Sequence, residues 1–128
     1  LPSNRVPVSV TRNNNSVGVK ITIKYPDAGS GMTLVINWSG IQTMETAIVN
    51  IMSWNVTGVS KAVVFGNSSF FSIKQLVTDR TTEIYITTST YGILTATPLS
   101  SNRNHTIKAE AISSIPTDAE SVSIITLS

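Results

Sequence analysis

Cysteine is absent, histidine occurs once, and only 16 of the 128 side chains are charged. Without cysteine there is no disulfide, no thiol nucleophile and no cysteine-ligated zinc. The charged fraction of 12% is about half the ~25% of an average soluble domain. The nine basic residues are scattered from Arg5 to Lys108 with no two adjacent. Nucleic-acid binders cluster Lys and Arg to displace counterions from phosphates, so the net charge of +2 reads as solvated surface and no nucleic-acid partner is expected. No apolar run approaches the ~20 residues of a helical span, and membrane insertion is not expected.

What fills the space is polar but uncharged. Ser, Thr and Asn number 18, 17 and 10, and Val and Ile add 28 more. Disordered chains are rich in charge and poor in β-branched residues, the reverse of this composition. A chain of 128 residues can bury roughly two thirds of its unfolded surface, enough for one core without metals. The expectation is a single β-rich domain over 1–128, with 1–12 as a connection to anything upstream. Leu1 opens the chain without a basic-plus-apolar leader, and Ser123 to Ser128 reads as strand, so both ends look cut.

Alternation dominates the pattern. From Val17 to Tyr25 the odd positions are Val, Val, Ile, Ile and Tyr, and the even ones Gly, Lys, Thr and Lys. That is a strand with one buried and one wet face. Arg5 to Arg12 alternates too, with Pro7 suggesting an edge strand or a strand still outside the sheet. Further strands are expected at Met32–Trp38, Lys61–Phe65, Phe70–Thr78, Thr82–Thr88, Ile93–Thr97, His105–Ile112 and Ser121–Leu127, separated by Gly-, Asn- and Asp-bearing turns. Ile41 to Val56 fits a helical stripe and an alternating strand almost equally, and its β-branched residues favour a strand from Thr46 to Asn55. Evenly spaced short strands predict an all-β antiparallel sandwich or barrel of about eight to ten strands.

Catalytic patterns are thin. His105 is the one neutral-pH base, set in a polar loop, and a lone loop histidine is ordinarily a surface residue. No G-x-S-x-G elbow or phosphate-cradling glycine loop occurs. Seven acids on a sheet protein bring some pair together by chance, which carries no glycosidase signal. Asp118-x-Glu120 lacks the dense oxygen pattern of a calcium loop. The expectation is a noncatalytic protein with neither cofactor nor metal. Five N-x-S/T triplets, at Asn14, Asn37, Asn55, Asn67 and Asn104, slightly exceed the roughly 2.7 that composition gives under the acceptor rule.

The aromatics bear more on function. Trp38 closes a strand, Trp54 precedes a turn, and Tyr91 shares one with Gly92. Each can cap a core, or offer a flat face to a sugar ring whose hydroxyls meet nearby polar donors. Binding sites favour loops on a rigid scaffold. The glycan-binding candidates are therefore Tyr91 with Asn102, Arg103, Asn104 and His105, together with Trp54 and Asn67.

A β-only chain with few charges, no cysteine and abundant Ser, Thr and Asn resembles a viral or phage fibre tip. More narrowly it is similar to the receptor-binding end of the L-shaped side tail fibre of T-five-type coliphages. Leu127-Ser128 is similar to the point where such fibres are trimmed after a serine by their intramolecular chaperone. The resemblance implies a parallel homotrimer on the virion, extracellular, whose tip attaches to surface polysaccharide of a Gram-negative host. A mean hydropathy of +0.17 agrees with some apolar surface meeting sister chains. The alternatives are a structural or protein-binding module such as a viral fibre head or adhesin, and a polysaccharide-degrading tail spike fragment.

Overall fold

The computed structural model describes residues 6–26, 31–40, 44–52, 55–59, 69–76, 80–88, 91–101, 104–117 and 120–122. Among these the chain forms ten strands and no helix. They are β1 (Val8–Arg12), β2 (Gly18–Lys24), β3 (Gly31–Gly40), β4 (Met44–Met52), β5 (Asn55–Val59), β6 (Ser69–Leu76), β7 (Thr81–Thr88), β8 (Gly92–Ser101), β9 (Thr106–Ile112) and β10 (Glu120–Val122). Two five-stranded antiparallel sheets result, ordered β1-β8-β3-β4-β5 and β10-β6-β7-β2-β9. The all-β sandwich expected from the alternation is the observed architecture.

Register explains the core. Val19, Ile21 and Ile23 of β2 stand opposite Ile86, Ile84 and Thr82 of β7, and all six are buried. From the first sheet, Met32, Leu34, Ile36 and Trp38 of β3, with Leu94 and Ala96 of β8, join the same apolar cluster. Both sheets thus turn one face of a two-residue period inward. Trp38 is fully buried, which makes it a core residue.

The outer faces differ from each other. The second sheet carries Lys20, Lys24, Glu83, Lys108 and Glu110 at registers opposite to its buried positions. At the corresponding registers of β1, β3, β4 and β8 stand Ser, Thr, Asn and apolar residues, with no charge. Thr46 of β4 donates to Asn37 Oδ1 of β3 across that uncharged face at 2.7 Å.

Three expectations shift in detail. The single strand over Thr46–Asn55 is instead two strands, β4 ending at Met52 and pairing antiparallel with β5, Met52 opposite Asn55. The helical reading of that segment is not realised in β4 or β5. β8 runs on to Ser101, beyond the expected end at Thr97. Pro98 lies beyond Ala96, the last residue paired to β1, and beside a bulge at its β3 partner Leu34, the kind of place where a strand tolerates proline. Pro7 precedes β1, which is an edge strand as expected. The strands expected at Lys61–Phe65 and past Val122 lie outside the described residues.

Candidate functional site

At one end of the sandwich β2 ends and β7 and β9 begin, which brings Tyr25, Pro26, Arg80 and Asn104 together. Tyr25 follows β2 and continues its buried face, with 1% of its surface exposed. Its N–H donates to the Arg80 carbonyl at 2.9 Å, and its hydroxyl donates to Thr82 Oγ1 at 2.8 Å. The His105 ring stands edge-on to Tyr25, with centroids 5.3 Å apart and planes at 84°. Three loops are thereby tied to one aromatic ring.

Arg80 holds an unusual backbone. Its φ of 54° lies in the left-handed region, which costs an L-residue without special side-chain compensation about 1–2 kcal/mol. Two hydrogen bonds pin it: the carbonyl takes the Tyr25 N–H, and Nη1 donates to the Pro26 carbonyl at 2.7 Å. Strain of this kind is retained where surrounding contacts over-determine it.

Around these residues lies a cleft of about 230 Å³, lined by Lys24, Tyr25, Pro26, Arg80, Asn104 and Thr106. Its donors are an ammonium, a guanidinium, an amide and a hydroxyl. Among the described residues neither cation has a carboxylate within ion-pair distance, whereas Lys20 and Lys108 both approach Glu110, at 3.7 and 3.5 Å. Such a lining binds and orients oxygen-rich ligands. It offers no described carboxylate to act as an acid or base.

The structure separates the expected site residues. Asn104 lines the cleft and His105 underlies it, buried to 3% exposure rather than placed on the surface, because its ring packs on Tyr25. Tyr91 stands at the other end of β8, so the ten-residue strand puts roughly 30 Å between it and that loop. There Tyr91 is 44% exposed, and the buried Arg12 places its guanidinium carbon 4.8 Å from the ring centroid. The single cluster expected from Tyr91 and the 102–105 loop is therefore not formed. Asn102, Arg103, Trp54 and Asn67 lie outside the described residues. Sequence reasoning passed over Lys24, Tyr25, Arg80 and Thr106. Tyr25 carried a usable signal, since it ends an alternating run immediately before a proline turn.

Comparison with protein-family models, with curated proteins and with solved structures finds no match.

Burial pushes the Tyr25 hydroxyl up to about 12, partly offset by its hydrogen bond to Thr82. The folded state therefore holds the proton more tightly than the unfolded chain, whose tyrosine titrates near 10. The stabilisation is full below pH ~10 and is lost as pH rises from ~10 through ~12, by about 2–3 kcal/mol. Urea midpoints of the wild type should fall across that window, and Tyr25→Phe should remove this part of the decline. A parallel decline in both proteins would place the alkaline sensitivity elsewhere.

Proposed function

We propose that this chain is a noncatalytic receptor-binding module at the tip of a phage tail fibre, attaching the virion to host surface polysaccharide of O-antigen type. The observation that supports this reading is the convergence of residues flanking β2, β7 and β9 on one donor-rich cleft at a single end of a rigid sandwich. A polysaccharide presents hydroxyl and ring oxygens in repeating order, and Lys24, Arg80, Asn104 and Thr106 supply complementary donors. Each such site is weak. Several copies engaging a repeating polymer raise avidity without any new contact.

Self-association belongs to the same proposal. The uncharged outer face of β1, β3, β4 and β8 can lie against sister chains without burying an ion, and its Ile93 is half exposed. A homotrimer would supply the avidity. The opposite sheet, with its Lys and Glu pairs, would stay in water.

Binding of the purified protein to immobilised host polysaccharides, combined with sedimentation, tests both parts. The expected result is retention by at least one O-antigen polymer, an unchanged polymer length after long incubation, and a mass above that of one chain. Retention by host proteins only, or by nothing, overturns the receptor reading. A shortened polymer overturns the noncatalytic part, and a stable monomer overturns the fibre part.

A further inference from the structure

We infer that the Lys24–Arg80 cleft recognises an anionic substituent, a single carboxylate or phosphate, carried on the bound sugar. This rests on the receptor reading for the identity of the larger ligand, but its chemistry stands on the cleft itself. Lys20 and Lys108, farther along the same sheet, share Glu110 as a counter-ion. Lys24 and Arg80 line a cleft whose described residues include no acid at all. Among the described residues neither cation has an acid beside it; two like charges at one small cleft repel each other, and an oxyanion between them relieves that repulsion. Asp27 and Asp79, the acids nearest in sequence, lie outside the described residues.

Arg80 adds geometry to charge. A left-handed position such as this is most readily filled by glycine, and asparagine also takes it more easily than arginine does. What arginine brings is a planar fork matched to carboxylate and phosphate oxygens. Its bond to the Pro26 carbonyl uses one of five N–H donors and fixes the direction of that fork. A donor already held in place loses less rotational freedom when the ligand arrives. Asn104 and Thr106, which line the same cleft, are left to read the neighbouring hydroxyls.

Wild-type protein is titrated with a glucuronate-bearing disaccharide, its methyl ester, a phosphorylated monosaccharide and a neutral disaccharide, with binding followed by NMR. The glucuronate compound is expected to bind at least tenfold more tightly than its ester, and the preferred acid distinguishes carboxylate from phosphate. Arg80→Gly should keep a melting temperature close to wild type, because the backbone position suits glycine, yet lose tenfold or more in affinity for the acid. Lys24→Gln should lose several-fold, and raised salt should weaken wild-type binding most. Equal binding of acid and ester by the wild type overturns the inference whatever the variants do. So does unchanged acid binding in both variants. Retention on neutral polysaccharide that ignores Arg80→Gly would leave the receptor reading intact and remove only this inference. Binding of small acids at Arg80 with no host polysaccharide retained would do the opposite.

Discussion

Gly92→Ala should lower the melting temperature by about 10 °C, from a single added methyl group. Gly92 opens β8 between two neighbours, Arg12 of β1 and Gly40 of β3. A Cβ built there would lie 2.3 Å from the Ser39 carbonyl oxygen and 2.9 Å from Gly40 Cα. Both atoms belong to backbone, so no side chain can rotate out of the way. Either β8 or β3 must shift, and β8 is the strand that joins β1 to the rest of its sheet. Overpacking of this kind costs typically 1–3 kcal/mol, and the all-backbone obstruction puts Gly92→Ala at the upper end. For a domain of this size each kcal/mol moves the midpoint by roughly 3–5 °C. The measurement is thermal unfolding followed by circular dichroism, with Ile93→Ala as the companion variant. Ile93 is half exposed on the outer face of the single chain, so its truncation should cost the fold of that chain well under 1 kcal/mol. If Gly92→Ala melts with the wild type, the close approach of β8 to β3 is wrong.

The contrast between these neighbouring positions explains what could be read from the sequence. β2 was legible because one face is wet and the other dry, which writes a two-residue period directly into Val19, Lys20, Ile21, Thr22 and Ile23. Met44 to Met52 carried the same information less clearly, since apolar residues stand on both faces of β4 and a helical stripe fitted as well. The run through Pro98 was hidden for another reason. A proline is excluded only where its N–H is needed, and which ladder reaches it is decided by where β1 stops, a tertiary fact. Turns were recognised as turns, but not which of them share an end of the sandwich. Tyr91 and Asn104 flank the same strand closely in sequence, and the extended rise of that strand sets them far apart. Arg80 lies 54 positions from Pro26 in sequence, and only the paired ends of β2 and β7 bring its guanidinium to that carbonyl. Neither its left-handed backbone nor its partner is written in local composition.

Trp38→Ala should cost more than truncation of any other described core residue, about 3–5 kcal/mol, while leaving the cleft of the surviving folded protein intact. Trp38 has no exposed surface and is the largest fully buried side chain among the described residues. It stands opposite Leu94 of β8, near the end of the sandwich where Gly40 and Gly92 pair. Replacing indole by methyl removes the transfer free energy of a large aromatic and leaves a void that strands fixed by ladders on both sides cannot close. β3 is the middle strand of its sheet, hydrogen-bonded to β8 and β4 together, so collapse would require two ladders to move at once. Domains are stable by only about 5–15 kcal/mol, so this one change can consume much of the total. The urea midpoint should fall by about 2 M, taking a slope near 1.5–2 kcal/mol per molar. Trp38→Phe keeps most of the volume and should lose less than half as much. The cleft at Lys24 and Arg80 lies at the opposite end of the strands, beyond the distance over which packing changes normally couple. Below its unfolding transition the alanine variant should therefore bind the acidic disaccharide like the wild type. Lost binding in a still-folded Trp38→Ala protein would mean that the two ends of the sandwich are mechanically joined, and that the core sets the loop geometry directly.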